Sequence, residues 1–191
     1  MERHHFFPSR DGINFTTMNF HVYYPGEGKN GYYLRYDSEA TMEEIIDSIC
    51  NDPVKPKTEC PGIVLNRFKP SESRYGTTIR NRYADLEQTT GYFALDVDNI
   101  GPMTNLVRKI IFDLPPVIVS WISSSGNGVK AIGYSPKLIG LTPRMFSMTY
   151  RILCTELRVR SGMRINFDQA MGRCHQPIFI NSDPKALYNK K

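Results

Sequence analysis

The chain has 191 residues, 40% hydrophobic and 23% charged. That is enough to enclose one core at near-average globular composition, and it excludes a disordered or fibrous protein. Lys and Arg number 24 against 19 Asp and Glu, a net charge of +5 that favours a polyanionic partner. No run approaches the roughly 18 consecutive apolar residues of a membrane span, and Met1-Glu2-Arg3-His4-His5 lacks the regions of a secretion signal. The expectation is a cytoplasmic protein with no membrane contact. Cys50, Cys60, Cys154 and Cys174 are scattered without a C-x-x-C pair, which predicts reduced thiols, and the adjacent Cys174-His175 is poor spacing for a zinc site.

In chain order, residues 1–90 read as an N-terminal α/β lobe. Strand-like Phe20 to Tyr24, a Pro-Gly-Glu-Gly-Lys-Asn-Gly turn and Tyr32 to Tyr36 predict a hairpin. A helix follows, capped by Thr41 with Glu44 at the capping-box position and Ile45, Ile46 and Ile49 on its apolar face, and Asn51-Asp52-Pro53 stops it. Gly62 to Phe68 reads as a strand. Lys69 to Arg82 is polar and basic, with Arg74, Arg80 and Arg82 prominent, and is either a solvated loop or an arm that contacts phosphates.

Residues 91–191 show a sharper order. Gly91 to Val97 is a strand, Met103 to Leu114 a helix ended by Pro115-Pro116, and Val117 to Ile122 and Val129 to Tyr134 two strands joined by Ser123–Gly128. Thr142 caps a long helix with Pro143 at its first position. Met145, Met148, Ile152 and Val159 are its expected inward stripe, and Arg144, Arg151 and Arg158 recur every seven residues on another face. A final strand, Pro177 to Ile180, completes β-α-β-β-α-β. The predicted class is α+β, with an RNA-recognition-like (ferredoxin-like) core whose first strand lies between the third and the fourth.

Three segments carry candidate chemistry, and that topology brings them to one sheet edge. Asp96 and Asp98 close the first strand, where two carboxylates side by side invite a hard cation such as Mg²⁺; alternatively Asp98-Asn99 only opens a turn. Ser124-Ser125-Gly126-Asn127-Gly128-Val129-Lys130 is either a Gly-rich hairpin turn or a cradle whose N–H groups and lysine bind a triphosphate. Its lysine enters a strand rather than a helix, so it is not a Walker A loop. Asp168, with Arg173 five residues on, is the third, a helix cap or a metal ligand.

Gly91-Tyr-Phe-Ala-Leu-Asp96-Val-Asp98, Ser124-Ser-Gly-Asn-Gly-Val-Lys130, and Phe167-Asp168 with Arg173 and Asn181-Ser-Asp183-Pro184 together resemble the motifs of the archaeo-eukaryotic primase superfamily. The closest likeness is to the VirE-type N-terminal primase-like domain of mobile-element and phage replication proteins, over roughly residues 40 to 190. Many members of the superfamily carry histidine at the position of Lys130; lysine recurs in the VirE-type branch and binds phosphate as a point charge. The resemblance implies a DNA primase or primase-polymerase in which Asp96, Asp98 and Asp168 hold two Mg²⁺ or Mn²⁺ ions. Ser124, Ser125, Gly126, Asn127, Gly128, Lys130 and Arg173 would bind the nucleoside triphosphate.

A single-stranded DNA template would then lie on Arg74, Arg80 and Arg82, or on Arg144, Arg151 and Arg158, with Tyr75, Tyr83 and Tyr92 as candidates for stacking. A helicase domain or protein is the expected further partner. The competing hypothesis is a catalytically silent module that binds single-stranded DNA or nucleotide. A replication-initiator nicking enzyme is disfavoured, because His4, His5, His21 and His175 provide no His-x-His pair.

Overall fold

The computed structural model describes residues 18–28, 31–73, 76–79, 83–162 and 164–189. Strands β1 (Asn19–Gly28) and β2 (Gly31–Thr41) form the expected antiparallel hairpin. Helix α1 (Met42–Asn51) starts on the predicted capping box: the Thr41 hydroxyl accepts from the Glu44 N–H (3.2 Å), and the Glu44 carboxylate accepts from the Thr41 N–H (2.7 Å). It buries Met42, Ile45 and Ile49. The single strand expected over Gly62 to Phe68 is two, β3 (Gly62–Val64) and β4 (Arg67–Phe68), because the chain bends at Leu65-Asn66.

The basic stretch after it holds a second hairpin, β5 (Pro70–Ser73) with β6 (Gly76–Ile79), and β7 (Leu86–Gln88) pairs with β4. Arg74, Tyr75, Arg80 and Arg82 lie outside the described residues.

The second half follows its predicted order as far as the long helix. β8 (Thr90–Val97), α2 (Thr104–Phe112), β9 (Val117–Ile122), β10 (Val129–Ile139) and α3 (Pro143–Arg160) come in turn. β10 lies between β8 and β9 and is antiparallel to both, so β8 and β9 run parallel on either side of it, a split βαβ unit crossed by α2. α2 buries Val107, Arg108 and Ile111, and α3 opens with the Thr142 cap and Pro143 as read from the sequence.

Two expectations fail. The final strand, β11 (Ile178–Phe179), does not join β8; it pairs with β3 and gives a four-stranded sheet of order β11-β3-β1-β2. The other sheet has the order β12-β9-β10-β8, its outer strand β12 (Leu187–Tyr188) being absent from the sequence prediction. The fold is therefore mixed α+β with antiparallel pairing. β8 is an edge, and two of its carbonyls are taken by other groups: the Tyr150 hydroxyl donates to the Ala94 carbonyl (3.0 Å), and the Asp168 N–H donates to the Asp96 carbonyl (2.8 Å). An edge whose acceptors are occupied no longer templates a strand.

The inward face of α3 is the other failure. Met145, Met148, Ile152 and Val159 are exposed, and Phe146, Tyr150, Leu153, Cys154 and Leu157 are buried instead. Both sets fit a helical period. The bulkier one, with two aromatic rings, removes more apolar surface from water and wins the core.

One contiguous core runs through both sheets, from Phe20 and Val22 to Trp121 and Ile180. Asn66 links the halves: its amide donates to the Cys174 carbonyl (2.8 Å), and its oxygen accepts from the Thr90 N–H (3.1 Å) at the start of β8. Among the described residues no helix is long and apolar enough to cross a membrane.

Candidate functional site

Asp96 sits at the penultimate position of β8, directly opposite Lys130 near the start of β10. The Lys130 ammonium donates to Asp96 Oδ2, and both side chains are nearly nine-tenths buried. The other carboxylate oxygen, Oδ1, is shut off from solvent with no hydrogen-bond partner. Burial raises the Asp96 pKa above the usual carboxylate value, Lys130 opposes that, and the charges of Asp98 and Asp168 raise it further. The charges of Asp98 and Asp168 thus both bear on Asp96 at the strand end, where pairing by register brings Lys130 and main-chain bonding brings Asp168.

Asp98 is exposed in the loop after β8. That loop is fastened to the Ser123–Gly128 turn by Asn127. Its carbonyl accepts from the Ile100 N–H (3.1 Å), its side-chain oxygen accepts from the Gly101 N–H (2.6 Å), and its amide donates to Asn99 Oδ1 (3.4 Å). Asn99 and Gly101 sit there at φ 59° and 53°, the left-handed region that Asn and Gly tolerate. At Gly128 a Cβ would stand 2.7 Å from the Val97 carbonyl and 3.1 Å from Asp98 Oδ1, so only glycine lets the turn approach the carboxylate loop.

Asn127 is therefore a fastener of the two loops. Gly126, at φ +71°, spends its N–H on the Ser123 carbonyl (2.8 Å). The amides of Ser124, Ser125 and Gly128 have no acceptor among the described residues.

Asp168 is exposed and caps the 3-10 turn Gln169–Gly172, its Oδ1 accepting from the Ala170 N–H (2.9 Å). The cap predicted as the alternative is real, and it coexists with proximity to Asp96. Among the described residues no three His, Cys, Asp or Glu side chains are arranged as metal ligands, so the expected triad is gathered but not assembled into a cage. Arg173 closes the 3-10 turn that Asp168 opens, and its charge, after burial, holds His175 below the ordinary histidine value. His175 packs edge-on against exposed Tyr83 (4.7 Å between ring centroids). Tyr92 is not a stacking platform. It is buried against Phe20 and Tyr134 (5.0 and 5.1 Å).

Arg144, Arg151 and Arg158 are exposed along α3, and none pairs with a carboxylate among the described residues. Sequence reasoning missed Tyr150, whose hydroxyl holds both Ala94 and Asp168 carbonyls (3.0 and 3.4 Å). It also missed the structural use of Asn181 and Asp183. Asn181 accepts from the Trp121 indole (3.1 Å), and Asp183 accepts from the Ile122 N–H (2.8 Å). A Tyr one turn inside the apolar face of α3, and polar residues flanked by Ile180 and Pro184, were the available signals.

Among the described residues no cysteine forms a disulfide. Burial pushes the Cys154 and Cys174 thiols up to about 11 and also raises Cys60. A thiol at about 11 is only about 0.1% thiolate near pH 8. Alkylation of the native protein near pH 8 is expected to label half-buried Cys50 first, with Cys154 and Cys174 reacting only on unfolding. Peptide mass spectrometry checks this, and equal labelling of Cys154 would contradict it.

The model of the BT4734-like, N-terminal domain family matches residues 73–188. No curated protein and no solved structure matches the chain. The matched span runs from the end of β5 to β12 and contains the Asp96–Lys130 pair, the Asn127-fastened turn and α3. By this match, over more than half its length, the chain belongs to the BT4734-like N-terminal domain family.

Proposed function

We propose that this domain is a primase-type nucleotidyltransferase that joins nucleotides from nucleoside triphosphates on a single-stranded DNA template. The observation that carries the reading is the buried Asp96 carboxylate, paired with Lys130 through one oxygen, unpartnered at the other, and within the electrostatic reach of Asp98 and Asp168. An unpaired buried carboxylate oxygen beside two further carboxylates is costly unless a cation takes it. Such perturbed groups concentrate where chemistry is done.

The donor set fits a hard divalent ion. Mg²⁺ is commonly held by one or two carboxylates, with water and substrate phosphates completing its shell, so Asp96 and Asp98 suffice for one ion. Asp168 has an oxygen left for a second after capping Ala170. A bound Mg²⁺ or Mn²⁺ would supply charge neutralisation at the triphosphate and a more acidic attacking hydroxyl. The chain's own part is positioning. The unused amides of Ser124, Ser125 and Gly128 donate to phosphate oxygens, Asn127 keeps that turn against the carboxylate loop, and Lys130 exchanges the Asp96 oxygen for a phosphate.

The test is nucleotide incorporation on single-stranded DNA, primed and unprimed, in Mg²⁺ and in Mn²⁺, by the wild type and by the Asp96→Ala, Asp98→Ala double variant. Synthesis that vanishes in the variant while oligonucleotide binding persists is the expected result. Synthesis unchanged in the variant would remove these carboxylates from the chemistry. A folded wild type that binds the oligonucleotide without synthesis would favour the silent binding module.

A further inference from the structure

We propose that the solvent side of α3 is a track for single-stranded nucleic acid, leading past Asp168 to the end of β8. This deepens the functional reading above and rests on it for the identity of the strand as template. Three concavities of about 430, 300 and 500 Å³ line up along the helix. The first and second share Arg151; the second and third share Arg158, Ile165 and Asn166. They form one trough, with Arg144 and Tyr83 at its first end and Arg164 at its last. Gln169, next to Asp168, lines the middle, so a strand laid in the trough passes beside the candidate site.

Charge and shape select the occupant. Seven residues are two helical turns, so the arginines repeat about every 10.5 Å on one side of the helix. The only acidic residue of α3, Glu156, is engaged by Arg160 (2.9 Å). Arg144, Arg151 and Arg158 are left without a carboxylate partner among the described residues, on a chain of net charge +5. A row of unpaired guanidinium groups matches a row of phosphates.

Beside the row stand the exposed apolar side chains of Met145, Met148, Ile152 and Val159, and the exposed Tyr83 ring stands at the trough's end. A single strand offers what both need, phosphates for the arginines and unpaired base faces for the ring and the apolar border. An acidic polypeptide would meet the arginines alone.

The experiment uses the full chain and a labelled oligothymidylate, with affinity followed against salt. For single strands the slope of log K against log salt is about 0.7 per phosphate contact. The Arg144→Gln, Arg151→Gln, Arg158→Gln variant is expected to lose about 2 from that slope, and Tyr83→Ala is expected to bind about tenfold more weakly. All four side chains are exposed, and glutamine keeps helix propensity, so thermal stability should not change.

Wild-type affinity and slope in the triple variant would overturn the track, as would polyglutamate binding the wild type as tightly as the oligonucleotide, which would point to an acidic protein partner. The Asp96→Ala, Asp98→Ala variant is assayed alongside. If it loses synthesis but binds normally while the arginine variant also binds normally, the track fails and the catalytic reading stands. If neither wild type nor variant synthesises but the slope falls as expected, the reverse holds.

Discussion

Asp96→Asn is expected to lower nucleotide incorporation by about a thousandfold, equivalent to about 4 kcal/mol of transition-state stabilisation and of the order that charge neutralisation at a phosphoryl centre supplies. The substitution keeps the shape of the side chain. It also keeps the Asp168 N–H bond, which reaches the main-chain carbonyl of residue 96, so the third motif stays against the strand. What is lost is the charge that pairs with Lys130 and the buried oxygen that has no other partner. The three carboxylates should therefore rank. Asp98→Asn, at an exposed position, costs less, and Asp168→Asn costs least, because an amide oxygen still accepts from the Ala170 N–H. Incorporation rates for the three variants at equal oligonucleotide occupancy check the order, and an Asp96→Asn protein that works at the wild-type rate would rule out the carboxylate as catalytic.

The largest effect on stability is expected from Asp183→Ala, a loss of about 3–5 kcal/mol. Asp183 Oδ2 accepts from the Arg108 guanidinium (3.0 Å) and from the Ile122 N–H (2.8 Å), and Oδ1 accepts from the Lys185 N–H (3.0 Å). The side chains of Arg108 and Asp183 are only 9% and 11% exposed. Truncation leaves a buried guanidinium with no counter-charge and a strand-end amide with no acceptor, and it unties α2, β9 and the C-terminal segment together. For a chain of this size that corresponds to a fall of roughly 10 °C in Tm. Calorimetry of the variant checks it; a shift of a degree or two would mean that water replaces the carboxylate. The Arg108→Met, Asp183→Leu double variant should recover part of the loss, since no charge is then stranded.

Local structure was legible in the sequence wherever a residue's own chemistry decides it. The Thr41–Glu44 capping box, the Thr142-Pro143 helix start and the turn at Ser123–Gly128 need only neighbours a few positions away, and each appears where it was expected. Placement of Lys130 beside Asp96 followed from one further assumption, that the first and third strands of the second half pair antiparallel. Asp96 and the Ser124–Lys130 segment were therefore legible as neighbours, whereas Asp168 was expected there from a pairing of the last strand with β8 that does not form, and a main-chain bond to Asp96 brings it there instead.

Contacts between distant segments decided the rest. Met145, Met148, Ile152 and Val159 obey the same helical period as the buried face, and only the shape and volume of the core choose between them. β11 joined β3 rather than β8 because the β8 edge is already occupied by the Tyr150 hydroxyl and the Asp168 amide, bonds that span 56 and 72 positions and leave no local trace. By itself, then, the sequence determined the caps, the turns and the identity of the charged groups, since these depend on short-range sterics and hydrogen bonding. The tertiary structure decided which carboxylate oxygen is buried without a partner and which helix face is left to solvent, because both depend on what the rest of the core has already filled.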